Sequence, residues 1–144
     1  MTTELNEFKT NKTMSDSFLM VKNYLNELNF EITLENKGDG VLIVRNEEYA
    51  ISNLVIGVAS PLIIIEQYLF TKKNGDAEFY KTLLMKNQDI IHGAFVLDES
   101  GERILFRDTL QLETLDLNEL EASINSLSLL LSEYSDEIIK FSMN

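Results

Sequence analysis

Histidine occurs once in this chain, at His92, so a catalytic dyad or an imidazole-bound metal would have to be built on that residue. It stands between the apolar pair Ile90-Ile91 and Gly93. A general base needs a nucleophile or proton donor beside it, and no serine here sits in a G-x-S-x-G turn. The acids that could assist are Asp98 and Asp108. Asp98-Glu99 is a neighbouring carboxylate pair in a turn, where solvation is the ordinary fate of such groups, and the EF-hand pattern is absent. Gly38 and Gly40 resemble a phosphate loop only superficially, because a phosphate cradle leads into a helix and a strand follows here. Arg103 and Arg107 share one face of a strand and, flanked by Glu102 and Asp108, read as surface or interfacial ion pairs. The residues therefore give no catalytic, cofactor-binding or metal-binding set. An uncharacterised enzyme using His92 is the contrasting alternative.

The whole-chain quantities point toward binding by surface. With 24 acids against 12 lysines and arginines, the net charge is −12. A field of that sign repels phosphate backbones, so no nucleic acid is expected as a partner, and a basic protein is favoured. There is no cysteine, hence no disulfide and no thiolate metal site. The N-terminal MTTELNEFKTNKTMSDS is polar and acidic, unlike a secretory leader, and the cytoplasm is the expected compartment. Residues 49–70 are apolar enough to test against a bilayer. Their β-branched content and the Ser60-Pro61 interruption read instead as two buried strands, with no membrane span.

Residues 1–14 lack periodicity and are expected to form a flexible tail, leaving 15–144 as a single domain. Ser15 or Ser17 can cap a first helix whose apolar face is Phe18, Val21, Tyr24, Leu25 and Leu28. Phe30 to Glu35 alternates, with Phe30, Ile32 and Leu34 on one side. After the turn at 37–40, Val41 to Val44 returns, and Ala50 to Ala59 and Leu62 to Phe70 follow as strands. The second of these is apolar on both faces and should lie centrally, covered on both sides. Asp76 can cap a helix to about Lys86. Gly93 to Leu97 and Arg103 to Leu112 make a hairpin around the turn at 98–102. Asp116 with Glu119, or Asn118 with Glu121, has the spacing of a helix-capping box. The predicted order is α-β-β-β-β-α-β-β-α, an α+β fold with an antiparallel β-sheet and flanking helices.

The last helix carries Leu117, Leu120, Ile124, Leu127, Leu131, Tyr134, Ile138 and Phe141 at alternating spacings of three and four, a single stripe. One continuous helix over 117–141 is about 37 Å long, more than a small domain's core face. The stripe can cover the sheet, pair with its copy in a second subunit or receive a partner helix, and its exposed part, Leu127, Leu130, Leu131, Tyr134 and Ile138, is the expected partner-binding surface.

Two stretches carry a family likeness. Leu83-Leu84 with Asn87, then His92 to Glu99 and Gly101, resemble the YbjN and Tir-chaperone (CesT-like) group, in which an L-L-x-x-N helix precedes a small-residue strand and a D-x-x-G turn. Arg107-Asp108-Thr109-Leu110 and Leu115 to Leu120 continue the likeness. The resemblance implies a type III secretion chaperone-like fold, small, acidic and commonly a homodimer. It also implies a non-enzymatic chaperone or adaptor that holds extended partner segments over apolar patches. Some members occur beside PspA-like membrane-stress proteins, so a PspA-like coiled coil is an implied partner and a stress response an implied setting. On these expectations, Leu131→Asp with Ile138→Asp lowers the solution mass measured by light scattering. An unchanged mass and melting curve would remove the stripe from association.

Overall fold

The computed structural model describes residues 16–143. The expected tail and the cap at Ser15 lie outside the described residues, and Ser17 stands inside the first helix rather than at its cap. Helix α1 is seen over 16–27. It is followed by β1 (Glu31–Asn36), β2 (Val41–Asn46), β3 (Ile51–Ala59) and β4 (Leu62–Thr71). Then come α2 (Ala77–Asn87), β5 (Ala94–Leu97), β6 (Arg103–Gln111), α3 (Leu117–Glu133) and α4 (Ser135–Met143). The 6-stranded sheet has the order β1-β2-β3-β4-β6-β5, and every neighbouring pair is antiparallel. The α+β architecture expected from the pattern is the one observed.

Each strand's alternation sets which side chains are buried. Leu42, Val44, Leu54, Ile56, Val58, Ile63, Ile65, Ile104 and Phe106 point to one side and join Val21, Leu25, Leu120, Ile124 and Leu127 in a single core. The helices therefore cover one face of the sheet. β4 is interior, as its Leu-Ile-Ile-Ile run predicts, but it is not covered on both sides: Ile63 and Ile65 are fully buried while Leu62 and Ile64 are half-buried on the opposite face. A second departure lies in β1. A register shift between Ile32 and Leu34 moves Leu34 off the side it shares with Ile32, so it pairs Ile43 and stands 46% exposed.

Local chemistry sets the helix starts. The Asp76 carboxylate accepts from the Phe79 N–H at 2.9 Å, and that of Asp116 from the Glu119 N–H at 2.7 Å. Of the two capping boxes read at the last helix, the one starting at Asp116 is used.

The terminal stripe is not one helix. α3 ends at Tyr134, whose φ of −109° and ψ of 12° break the ladder, and α4 starts at Ser135. No glycine or proline lies near the break. In a straight helix Glu133 would face Glu137 one turn on, a like-charge pair. In the broken one Lys86 Nζ reaches Glu137 at 2.6 Å, and the Ser135 hydroxyl donates to the Ser132 carbonyl. Phe141 then lands between Phe70 and Phe79, with ring centroids 5.8 and 5.2 Å away. The overhang expected of a straight helix is folded back onto the chain's own core.

Leu127 is 0% exposed and Leu129 is 52% exposed on the same helix. Leu127→Ala should therefore cost about 2–5 kcal/mol in urea denaturation, and Leu129→Ala no more than about 0.5 kcal/mol. Equal losses would mean that α3 presents a different face to the sheet.

Candidate partner-binding surfaces

The sheet face away from the helices is built from the residues that alternate with the core. Register places Leu34, Ile43, Val55, Glu66 and Arg107 in one row across five strands. Val41, Gly57, Ile64 and Thr109 form the next row. Val41, Ile43, Val55, Leu62, Ile64, Val96 and Leu105 are half-buried there, and Tyr68 is 44% exposed. All the chain's arginines stand on this face, and each has an acid beside it. Arg45 Nε lies 2.7 Å from Glu31, Arg107 Nη1 3.5 Å from Glu66, and Arg103 Nε 3.8 Å from Asp98. Arg103 also lies 4.8 Å over the Tyr68 ring. The Ser100 hydroxyl donates to Asp98 and holds its carboxyl below the usual carboxylate range. The hydrogen bond to Glu31 raises the pKa of Arg45. A shallow recess of about 480 Å³ runs along the β4, β6 and β5 part of this face.

A second surface lies between α3 and the 88–93 segment. A groove of about 280 Å³ is lined by Ile90, Ile91, Leu129, Leu130 and Tyr134, with Asp89, Glu133, His92, Asn125, Ser126 and Ala122 around them. Its wall is preformed. The Ser126 hydroxyl donates to the His92 carbonyl at 2.7 Å and accepts from the His92 N–H at 3.2 Å, pinning the loop to α3. Gly93 completes the loop at φ +82°, where a Cβ would come within 2.4 Å of the Phe106 ring.

The residues expected to bind a partner divide between core and surface. Leu127 and Leu130 are not exposed: at 0% and 2% they belong to the chain's own core, because α3 lies along the sheet instead of overhanging it. Leu131, Tyr134 and Ile138 are half-buried and packed against that core. Lys86 Nζ sits 4.7 Å over the Tyr134 ring, which is itself 5.9 Å from Phe95. The most exposed apolar side chains are ones the stripe did not single out as contacts: Ile91 at 81%, Leu84 at 70%, Met85 at 62% and Ile139 at 57%. Ile91 carried a signal in the sequence, an apolar pair just ahead of His92-Gly93, but pattern alone does not separate a loop isoleucine from a core one.

The groups with chemical potential are held apart. His92 is exposed and its side chain makes no hydrogen bond or ion pair to Asp98 or Asp108. Asp108 accepts from Ser123 at 2.7 Å and from its neighbour's N–H, joining β6 to α3. Among the described residues no group of 3 or more metal-capable side chains is gathered. No helix among them is long and apolar enough to cross a membrane. Residues 49–70 form β3 and β4 instead.

Asn87 has a definite task. Its amide donates to the Phe95 carbonyl at 3.2 Å and accepts from the Phe95 N–H at 2.7 Å. β5 is an edge strand, so Asn87 occupies the main-chain groups that a further strand would use.

This antiparallel sheet with helices on one face is the fold of type III secretion chaperone-like proteins. The CesT_Tir_1 family model matches residues 14–144, and the chain belongs to that family. Among solved structures, it is similar to YbjN from E. coli, a putative transcription regulator, at TM-score 0.62 and 12% identity, covering 81% of this chain and 90% of that one. It is also similar to a chain of the HopA1–SchA chaperone–effector complex, at TM-score 0.59 and 11% identity, covering 91% and 98%. A third likeness comes from the structure of the Yersinia pestis type III secretion chaperone SycH with a stable fragment of YscM2, at TM-score 0.56 and 17% identity, covering 88% and 99%. At these identities the likeness concerns the fold. No curated protein matches the chain.

Asn87→Ala leaves the Phe95 N–H and carbonyl unpaired, at an expected cost of about 1–3 kcal/mol. Amide exchange at Phe95 should accelerate ahead of β4 and β6. Unchanged protection there would show that the side chain does not guard the edge.

Proposed function

We propose that this protein is a non-enzymatic chaperone or adaptor that holds another polypeptide against apolar surface. The observation that carries the reading is the open face of the sheet, where Val41, Ile43, Val55, Leu62 and Ile64 alternate with core residues and no helix among the described residues lies over them. Removing such side chains from water on contact with a second chain is the driving force. Family membership and the chaperone complexes sharing the fold support the same class of role.

Within this reading the protein is a homodimer in the cytoplasm, where a chain without cysteine loses nothing to a reducing environment. Leu131, Tyr134 and Ile138 contribute through the part of their surface that α4 leaves open. Leu127 and Leu130 support α3 from beneath. A helical client such as a PspA-like coiled coil in a stress response is a second, narrower reading, favoured by the groove beside α3. A pull-down returning one coiled-coil protein supports it, and many weakly held clients count against it.

For the open face the test is Ile43→Lys with Ile64→Lys. The wild type should weigh twice 16.5 kDa and keep a heat-unfolded client from aggregating. The variant should keep its circular dichroism and lose the client-holding activity. A well-folded variant that holds clients as well as the parent overturns the assignment of this face.

A further inference from the structure

The groove between α3 and the 88–93 segment differs from the open sheet face in charge, shape and main-chain chemistry, and these differences define what it accepts. On the sheet face the arginines are each already beside an acid, so both signs are balanced locally. Around the groove the carboxylates are Asp89 and Glu133, no lysine or arginine lines it, and neither acid has an ion-pair partner among the described residues. Two aliphatic side chains stand free beside it, Ile91 at 81% and Leu129 at 52%.

The backbone bordering the groove decides between an extended and a helical occupant. A strand would need open N–H and C=O groups to pair with. His92 has both of its own taken by Ser126. The N–H groups of Gln88, Asp89 and Ile90 are bonded to carbonyls of Met85, Lys86 and Asn87. With these N–H groups taken, an added strand finds few donors to pair with, and an occupant that satisfies its own backbone, a helix, fits the groove better.

We infer that this groove seats an amphipathic helix of a partner protein, apolar toward Ile91, Leu129 and Tyr134, with lysines or arginines placed against Asp89 and Glu133. The helix lies along α3 and presents side chains at i, i+3 or i+4, and i+7. Because Ser126 fixes the loop before binding, little ordering remains to oppose association. The inference deepens the protein-binding reading by naming the chemistry of one partner, and it stands or falls separately from the sheet face.

The probe is a synthetic amphipathic Leu/Lys helix, with its Leu/Glu counterpart as control, titrated by calorimetry into the full chain at physiological salt. The Leu/Lys peptide should saturate one site and the Leu/Glu peptide should not bind. Ile91→Ser with Leu129→Ser should weaken binding at least about a hundredfold, both side chains being surface groups whose loss spares the core. Asp89→Asn with Glu133→Gln should weaken it by about threefold to tenfold, more at low salt. Ile64→Ser on the sheet face should leave it unchanged. Equal binding of the two peptides, retention in the Ile91/Leu129 variant, or loss in Ile64→Ser would overturn the inference. A drop in solution mass for the Ile91/Leu129 variant would overturn it as well, since the occupant would then be a second copy. None of these results touches the client-holding assay of the sheet face.

Discussion

The physical constraint on which this molecule turns is that an antiparallel sheet with aliphatic side chains on both faces is sheltered on only one by the described residues. Burial on the helix side is complete, from Leu42 through Ile56 and Ile65 to Phe106. The opposite side carries Val, Ile and Leu at the alternating positions and receives no helix from the described residues. Hydrophobic burial scales with area removed from water, so those positions remain a reservoir of binding free energy. A solvent-facing sheet surface with nothing to bind would carry threonine, lysine and glutamate there. Here Val41, Ile43, Val55, Leu62 and Ile64 occupy them, with Glu66 on β4 set against Arg107 on β6.

The edges are handled with more care than the face. Asn87 plugs the Phe95 main chain on β5. The register shift in β1 twists the other edge, whose outer positions are largely polar. Strand addition is discouraged at both ends while face-to-face contact is left open. The molecule thus favours association by side chains over association by backbone.

The break at Tyr134 shows how tertiary packing reshapes a local preference. Helical spacing continues from Leu117 to Phe141 without a helix breaker. A straight continuation would hold Ile138 and Phe141 beyond the core. Folding back costs ladder hydrogen bonds at one turn and recovers the Phe70–Phe79–Phe141 ring cluster and the Lys86–Glu137 pair. The surface expected on the far half of the stripe is largely consumed by this turn, and the most exposed apolar side chains are others: Leu84 and Met85 on α2, Ile91 on the loop after it, Leu129 on α3 and Ile139 on α4.

Much of this was legible in advance because it depends on neighbours in the chain. Alternation named the strands, the carboxylates of Asp76 and Asp116 marked two helix starts, and the double-faced run at 62–65 placed β4 in the interior. The L-L-x-x-N helix and the strand after it pointed to the family because they are packing residues, set by the fold. The sheet's one-sided cover, the side on which Leu34 falls, the fold-back at Tyr134 and the meeting of Ile91 with Leu129 were beyond such reading. Each depends on which distant surfaces compete to bury a given side chain, and that competition is settled only when all the layers are packed together.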